Sequence, residues 1–425
     1  MGNTFNRSVV VGPTPPANLT THSLPNAYGT FNNIREIGAS IQGELDFAQA
    51  GDTVLVGPGS YDESPDVTQS VNLKSSAGRS LTTINLQTGP TYLGSLHVGG
   101  ANVTVDGFTI VGRDGTPTTI AASNIFVDAG LSSVTIKNNR LRVGAVDPAT
   151  DNGDDGFGVL TTYSTSSLVA SLAVTDNAIE PLGAAGERAF YINPGVNSFT
   201  LARNQITGKF NSTARTQAKT GVVQANTVDG LGLGGRGLGT WGYPDATVWG
   251  HTTFQDNVFS GLARGVDVLS SNSTVLSCNQ FVGNGTGVEV SDNDGGLTTG
   301  FDPTTVSMHG NSFIGDTVHG AENSSVTAGT VSATSNWWGC AAGPGNPGCD
   351  TVNGALAITP VAPSVPTCVS AGAINLTQAK FKRDNSPAHH NGSIQLKGDF
   401  VTCTTASRPT SSRRRPGSAC RRTTT

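Results

Sequence analysis

One short pattern recurs along this chain and constrains its fold more than any other feature. It reads apolar, any, apolar, two of any kind, asparagine, any, apolar. The copies are VTIKNNRL (134–141), LAVTDNAI (172–179), FTLARNQI (199–206), GVVQANTV (221–228), TTFQDNVF (252–259), TVLSCNQF (274–281), VSMHGNSF (306–313) and VSATSNWW (331–338). An earlier copy, VTVDGFTI (103–110), has Phe108 in the asparagine position. Internal repetition of this kind indicates a stack of similar units.

The asparagines of the pattern form one column with variable spacing. Its members are Asn139, Asn177, Asn204, Asn226, Asn257, Asn279, Asn311 and Asn336. Successive members are 38, 27, 22, 31, 22, 32 and 25 residues apart. The shortest spacing is 22 residues and the other spacings exceed it by irregular amounts, which indicates a coil of constant length that accepts insertions.

Each copy alternates apolar and polar residues and then turns at asparagine. The alternation predicts a short half-buried strand, and we expect the bend at Asn because Asn tolerates left-handed backbone. Further short strands follow, as in AFYI (189–192), GVDV (265–268) and GVEV (287–290). One coil cannot bury its own apolar face, so the coils must stack about 4.8 Å apart. We predict an all-β, single-stranded, right-handed parallel β-helix of about ten to eleven coils.

Composition agrees with a stack and excludes several classes of protein. Charged residues make up only 13% of the chain, and like charges stacked in register would repel one another. No apolar run reaches about 18 residues, so no transmembrane segment is predicted. The segment 378–425 has ten Lys and Arg against two acidic residues, so residues 1–377 carry a charge of −13 within the overall −5. An acidic body argues against nucleic acid as a partner.

The ends of a coil stack are open sheet edges that must be covered. At the N-terminal end, Ile41, Leu45 and Ala48 recur at helical spacing. This spacing predicts an N-terminal capping helix over a first coil that starts at 53–56.

A C-terminal cap is predicted around TSNWWGCAAGPGNPGC (334–349). Trp338 occupies the position that phenylalanine fills in earlier copies, so we expect it to pack on the final coil. The alternative is an aromatic platform for a sugar. The Gly/Pro loop that follows is predicted to be closed by a Cys340–Cys349 disulfide, with free thiols as the alternative.

Three regions follow from where the pattern starts and stops. Residues 1–35 form a partly irregular leader, 36–360 the β-helix, and 361–425 a linker, a truncated second β segment and a disordered basic tail. A frameshift near Cys403 would also produce such a tail. The N-terminus lacks a clear apolar signal core, so an export signal is missing, truncated or atypical. The six cysteines still favour an oxidising compartment, and we expect a secreted or cell-surface monomer.

This chain resembles the parallel β-helix repeat proteins of the pectate-lyase-like superfamily in three features. They are the segment GDTVLVGPGSY (51–61), the repeats, and the NWWG segment (336–339) that ends them. The resemblance spans 36–360 and implies the fold. It is a poor guide to activity, because that superfamily includes lyases, hydrolases, epimerases, esterases and non-catalytic surface proteins. Motifs typical of its pectate lyases and mannuronan epimerases are absent here. Of the polygalacturonase motifs, only an Asp154–Asp155 pair and a partial match at 318–320 occur.

Long insertions in three coils are candidate sites, because function on a repetitive scaffold tends to lie on such loops. The first has the oxygen-rich composition that Ca²⁺ prefers, with solvated turns as the alternative. Its carboxylates are Asp147, Asp151, Asp154 and Asp155. The second is a candidate sugar-binding loop, with simple packing over the coil wall as the alternative. Its aromatic residues are Trp241, Tyr243 and Trp249. The third insertion, 291–303, is also acidic.

Strand register predicts a pair of acids. Asp267 in GVDV and Glu289 in GVEV are 22 residues apart, which is one minimal coil. Their side chains should point outward from strands about 4.8 Å apart, where two carboxylates can share a proton and one pKa is raised. Such a pair would suit the general acid and the base or nucleophile of glycoside cleavage. We expect His319 in the next coil of the same column. The alternative is two solvated acids on a side wall, or one ion pair with Arg264.

Two functions fit these observations. The leading hypothesis is a secreted protein that binds polysaccharide along its side wall and, as an enzyme, would be a polysaccharide lyase or glycoside hydrolase. The competing hypothesis is a non-catalytic cell-surface or adhesion module.

Overall fold

The computed structural model describes residues 40–87, 94–113, 123–144 and 156–368 in full. Outside these ranges it describes the backbone of the strands Ser8–Val11, Pro25–Asn26, Gly29–Thr30, Ile374–Lys382, Ser393–Thr402 and Arg421–Thr424. The chain divides into two units, residues 1–366 and 367–425. No helix in the described part of the chain has the length and apolar character needed to cross a membrane.

The first unit is a parallel β-helix, which confirms the predicted fold. Its strands form three long sheets, here called sheets A, B and C, with 13, 10 and 11 strands. Within a coil the chain passes through sheets A, B and C in turn, and each strand pairs in parallel with its counterpart in the next coil.

Sheet A contains Ser8–Val11, Thr53–Val56, Asn72–Ser75, Asn102–Asp106, Ser133–Lys137, Val169–Thr175, Val196–Ala202, Thr220–Gln224, His251–Gln255, Val275–Ser277, Ser307–His309, Val331–Ser332 and Leu356–Ala357. Sheet B contains Gly59–Asp62, Thr82–Asn85, Thr109–Val111, Arg140–Val143, Ala178–Pro181, Gln205–Thr207, Thr227–Asp229, Val258–Ser260, Gln280–Val282 and Ser312–Ile314. Sheet C contains Asp66–Val67, Leu96–Val98, Ser123–Val127, Phe157–Thr161, Arg188–Ile192, Ser212–Thr216, Arg236–Trp241, Arg264–Leu269, Thr286–Ser291, His319–Asn323 and Val352–Gly354.

The number of coils agrees with the prediction. In the described residues, ten coils have a strand in all three sheets. In the eleventh, Trp337 forms a single parallel bridge to Ser312 where a sheet B strand would lie. One difference lies at the N-terminal end, because Ser8–Val11 pairs in parallel with Thr53–Val56. Sheet A therefore begins before the expected first strand.

The core consists of the alternate apolar residues of each strand. In Ser133–Lys137, Val134 and Ile136 are 0% exposed, and the residues between them point outward. In the next coil, Leu172 and Val174 lie opposite these two residues. Apolar side chains thus stack on apolar side chains, and each fully buried one contributes about 1.5–3 kcal/mol.

The asparagine column forms a hydrogen-bonded ladder at the corner between sheets A and B. Each backbone N–H from Asn139 to Asn311 donates to the Oδ1 of the next asparagine, at 2.8–3.1 Å. Each Nδ2 also donates to a main-chain carbonyl of the preceding coil, as from Asn257 to Val223 at 2.8 Å. All eight asparagines are at most 1% exposed. The ladder satisfies main-chain groups that a buried corner would otherwise leave unpaired.

The left-handed backbone at this corner falls one residue earlier than predicted. The expectation that asparagine itself adopts positive φ was wrong, because the residue before each asparagine does so. These preceding residues are Asn138, Asp176, Arg203, Ala225, Asp256, Cys278, Gly310 and Ser335, with φ between 53° and 65°. Asparagine is needed at the next position because its amide both accepts and donates in the ladder.

An aromatic stack runs parallel to the ladder in the last coils. The rings of Phe259, Phe281, Phe313 and Trp338 are nearly parallel and stacked, with centroids 5.2, 4.9 and 4.6 Å apart in that order. Trp338 is 0% exposed. It therefore occupies the predicted position on the final coil and is not accessible as a sugar platform.

The loop after Trp338 is closed by the predicted Cys340–Cys349 disulfide. Cys278 and Cys368 are disulfide-bonded as well. These bonds confirm the expectation of disulfides and are compatible with an extracellular protein.

The N-terminal cap is a short helix, Ile41–Leu45. Ser40 is its N-cap and accepts from the N–H of Gly43, and the Glu63 carboxylate accepts from the N–H groups of Ile41 and Gln42 at 2.7 and 2.9 Å. Both contacts satisfy N–H groups that a helix start leaves unpaired. Ile41 and Leu45, with Ala48 just after the helix, are buried as predicted.

Outside the three sheets, Pro25–Asn26 pairs antiparallel with Gly29–Thr30, and Pro303–Thr305 is a 3₁₀ helix. The second unit contains an antiparallel sheet in which Ser393–Thr402 pairs with Ile374–Lys382 and Arg421–Thr424. The last of these strands falls inside the tail that was expected to be disordered.

Candidate functional site

The outer face of sheet C carries one row of residues in register across successive coils. In order along the stack, the row contains Leu160, Tyr191, Arg215, Gly239, Asp267, Glu289 and Glu322. Asp267 and Glu289 lie directly opposite each other, as their spacing predicted. The flanking Val266 and Val268 are 0% exposed in the core. The two acids therefore point outward from neighbouring coils.

A cleft of about 410 Å³ lies on this face, around the middle of the row. Its charged lining consists of Arg215, Arg236, Arg264, Asp267, Glu289 and Asp294. Trp241 and Leu297 supply apolar surface at its edge. Ser212, Thr240, Ser291 and Asn293 also line the cleft, so most of its lining residues are charged or polar. Such a lining fits a ligand with many hydrogen-bonding groups better than an apolar one.

Gly239 creates the space between Arg215 and Asp267. It lies opposite both residues in the strand register and has no side chain to project between them. A Cβ atom at this position would lie 3.1 Å from the carbonyl oxygen of Ala214 and 3.5 Å from the Cβ of Asp267. Any larger residue would therefore project into the cleft.

Arg264 connects the two acids. Its Nε forms an ion pair with Oε2 of Glu289, and its Nη1 lies 3.5 Å from Oδ1 of Asp267. Arg236 approaches the other oxygen of Asp267 at 3.7 Å. Ser324 donates to Oε1 of Glu289 at 3.0 Å. Glu289 thus has close partners on both oxygens, whereas Asp267 has only longer charge contacts.

Burial makes ionisation of both acids less favourable. It raises the pKa of Asp267 even though Arg264 and Arg236 oppose the shift. It also raises the pKa of Glu289, again against Arg264. At Asp294, hydrogen bonds from Thr298 and Trp241 outweigh burial and lower the pKa of the carboxyl. The cleft therefore combines carboxyls with opposite tendencies to ionise, which is a common property of functional sites.

The three predicted sugar-binding aromatics differ in their surroundings. Trp241 is 9% exposed, with the Arg215 guanidinium 4.8 Å from the centre of its ring and the Tyr243 ring 4.9 Å away. Its Nε1 donates to Asp294 and Thr298. Trp241 thus forms a fixed edge of the cleft, and Tyr243 lies directly beside it.

Trp249 lies apart from the cleft lining. It is 4% exposed, and the Lys219 ammonium lies 5.6 Å from its ring centre. This placement matches the alternative stated for the loop, which is packing over the coil wall.

His319 does not continue the column of acids, which corrects the expectation from sequence. The residue opposite Glu289 in the next coil is Glu322, and His319 lies three positions earlier, opposite Thr286. Its Nδ1 is 2.9 Å from the hydroxyl of Thr351. Glu322 follows Glu289 by 33 residues and His319 follows it by only 30, so His319 falls three residues short of the row.

The proposed calcium ligands Asp147, Asp151, Asp154 and Asp155 lie outside the described residues. Within the described ranges, no group of three or more His, Cys, Asp or Glu side chains is arranged to hold a metal ion. In the acidic insertion 291–303, Asp292 accepts from the N–H groups of Val326 and Thr327. Calcium binding stays a prediction.

Sequence reasoning missed two arginines and the glycine of the cleft. Arg236 lies opposite Arg264, and Arg215 lies opposite Gly239. The repeat could have revealed both pairs, but Arg236 and Gly239 lie in the segment 231–251, which was expected to be an insertion and in fact contains the sheet C strand Arg236–Trp241.

No protein-family model matches this chain, and no curated protein matches its sequence.

Proposed function

We propose that this protein is a secreted polysaccharide-binding enzyme and that a glycan chain binds in the cleft on sheet C. The observation that carries the proposal is the pair of outward carboxylates, Asp267 and Glu289, which share Arg264 at the edge of a cleft opened by Gly239. The fold is consistent with the pectate-lyase-like superfamily, and we place the chain there as part of the proposal.

The lining supports a sugar ligand. Guanidinium and carboxylate groups donate to and accept from neighbouring hydroxyls, and charge-assisted hydrogen bonds of this kind are strong. Trp241 and Leu297 offer apolar surface for the C–H faces of a sugar ring. The cleft lies on the outer face of a stacked sheet, where a polymer can run along the coil axis.

The two acids support glycoside cleavage. Asp267 has the longer charge contacts and a raised pKa, so it suits the general acid, which donates a proton to the glycosidic oxygen as the C–O bond breaks. Glu289 is paired with Arg264 and suits the carboxylate that attacks or stabilises the anomeric carbon.

The test is a panel of polygalacturonate, alginate, xylan, mannan and mixed-linkage glucan, assayed for binding and for release of reducing ends. Each assay is run with Ca²⁺ and with a chelator, which also tests the calcium prediction. We expect at least one polymer to bind and be cleaved. Gly239→Leu should abolish binding, and Asp267→Asn should abolish cleavage while binding remains.

Thr200→Leu is the matched control for Gly239→Leu. Thr200 points outward from a strand of sheet A, so the added bulk lies away from the cleft. The control should bind like the wild type. Equal binding by Gly239→Leu and the wild type would show that the cleft is not the glycan site.

A non-catalytic surface module is the second candidate. Arg264 contacts both acids, an arrangement that also suits a static ion-pair network. This candidate predicts no release of reducing ends from any polymer, and a purely structural module predicts no binding either.

A further inference from the structure

A row of π-bearing side chains extends from the cleft toward the N-terminal coils. It starts at Arg215, which lies over Trp241, and continues through Tyr243. It ends at Tyr163, whose ring centre is 6.3 Å from that of Tyr243 at an angle of 49°. Cleft and row are therefore continuous.

The row crosses several coils. Tyr163 follows the sheet C strand Phe157–Thr161, and Tyr243 follows Arg236–Trp241 three coils later. Three coils span roughly 14 Å at the 4.8 Å spacing. The two tyrosines are in ring contact despite this interval, so the segments that carry them converge along the axis.

Exposure differs along the row. Trp241 is 9% exposed and is held between Arg215 and Tyr243. Tyr163 is 51% exposed, although its ring contacts Tyr243 on one side. Burial and a hydrogen bond with Tyr243 raise the pKa of the Tyr163 phenol, and the ring contact with Tyr243 fixes one side of the Tyr163 ring. An oriented aromatic ring with an open face is the usual form of a sugar-stacking platform.

We propose that Tyr163 is a second sugar-binding platform, which holds a distal unit of a glycan whose other units occupy the cleft at Asp267 and Glu289. This inference rests on the proposed function of the cleft. It adds that the ligand is a polymer lying along the coil axis toward the N-terminal end. A disaccharide held at Asp267 and Glu289 does not reach Tyr163, because the rings of Trp241 and Tyr243 lie between that part of the cleft and Tyr163.

The test measures binding against chain length. Oligosaccharides of two to eight units, prepared from polygalacturonate, alginate, xylan and mannan, are titrated by calorimetry into the wild-type protein and into Tyr163→Ala. We expect wild-type affinity to rise with length. Tyr163→Ala should bind the longest oligosaccharides about fivefold to tenfold more weakly, the loss expected for one aromatic contact. Its affinity for disaccharides should be unchanged.

Two further variants separate stacking from general effects. Tyr163→Phe keeps the ring and should bind long oligosaccharides within about twofold of the wild type. Phe47→Ala removes another exposed aromatic, one that is 60% exposed near the N-terminal cap, and should change nothing.

The outcomes distinguish the two proposals. If oligosaccharides bind but Tyr163→Ala and the wild type have equal affinity at every length, the second platform is wrong and the cleft stands. If no oligosaccharide of any length binds the wild type, both proposals are wrong.

Discussion

The corner between sheets A and B and the outer face of sheet C are built from the same coils but obey different rules. At the corner, one residue type recurs in eight successive coils, and each of the first seven asparagines donates its backbone N–H to the side chain of the next. On sheet C, the row changes at each coil, from Tyr191 to Arg215, Gly239, Asp267 and Glu289. Both are columns in register, yet only the first is repetitive.

The difference separates what stacking requires from what it permits. A buried corner has main-chain groups that need partners in every coil, and an asparagine amide supplies both a donor and an acceptor. An outward position on a sheet has its main chain already paired, so its side chain is free to vary. A change in the asparagine column should therefore reduce stability, whereas a change in the acids of sheet C should reduce function.

The largest expected effect comes from removing one amide from the middle of the ladder. Asn257→Ala leaves the backbone N–H and the Nδ2 of Asn226, and the carbonyl of Val223, without their partners. An unsatisfied buried group costs about 1–3 kcal/mol, so the free energy of unfolding should fall on the order of 5 kcal/mol. Chemical denaturation followed by circular dichroism measures the change.

Asn102→Ala is the control for this substitution. Asn102 is exposed at the start of a sheet A strand, so its replacement should be nearly neutral. If Asn257→Ala were as mild as Asn102→Ala, the ladder would not contribute to stability, and the contrast between the two columns would disappear.

A smaller effect is expected at Asp316, where a carboxyl continues a second, shorter ladder. Its Oδ1 accepts from the backbone N–H and the Nδ2 of Asn284, while its Oδ2 has no hydrogen-bond partner among the described residues. Burial, with the charge of Asp350 adding to it, raises the pKa of Asp316 to about 7. The folded protein therefore holds this proton more tightly than the unfolded chain, and stability falls as pH rises from about 4 to about 7.

Asp316→Asn should remove this pH dependence. An amide nitrogen there has a candidate acceptor in the carbonyl of Phe281, because Asn284 donates to Phe259 and the two phenylalanines are register partners. At one pKa unit per 1.36 kcal/mol, the variant should be more stable on the order of 4 kcal/mol at pH 8 and nearly unchanged at pH 4. Thermal unfolding at both pH values measures the gain. An equal gain in stability at pH 4 and pH 8 would contradict this account. A similar gain at pH 8 in the control variant Asp62→Asn, which replaces an exposed carboxyl, would also contradict it.

Much of the regular part of the molecule could be predicted from the sequence. The asparagine spacing indicated the coils, and the position of Trp338 after Asn336 indicated its place on the aromatic stack. Both features lie at positions that are buried in every coil, so the same kind of residue recurs there and the recurrence is visible in a single sequence. The positive φ of the preceding residue left no such pattern, because residues as different as Arg203 and Cys278 adopt it.

The candidate site was only partly predictable. Asp267 and Glu289 were found because they are separated by a minimal coil with no insertion. Arg215 and Gly239 were not found, because their alignment with the acids depends on the length of the intervening insertion. His319 was misplaced for the same reason. Outward residues have no common chemistry to mark their register, so variable loops hide it.

The smallest expected effect on stability is that of a single change in the acid pair. Glu289→Gln removes the ion pair between Glu289 and Arg264, although Arg264 stays beside Asp267. The substitution also removes the cost of burying a charged carboxylate, the same burial that raises the pKa of Glu289. The lost ion pair and the removed burial cost offset each other, so the free energy of unfolding at pH 7 should stay within about 1 kcal/mol of the wild type, and the same holds for Asp267→Asn. The double variant should cost more than the sum of the two, because Arg264 then has neither partner. Denaturation of the two single variants and the double variant gives this coupling directly. If either single variant lowered stability as much as Asn257→Ala does, the acids would belong to the structural frame, and the distinction between the two columns would fail.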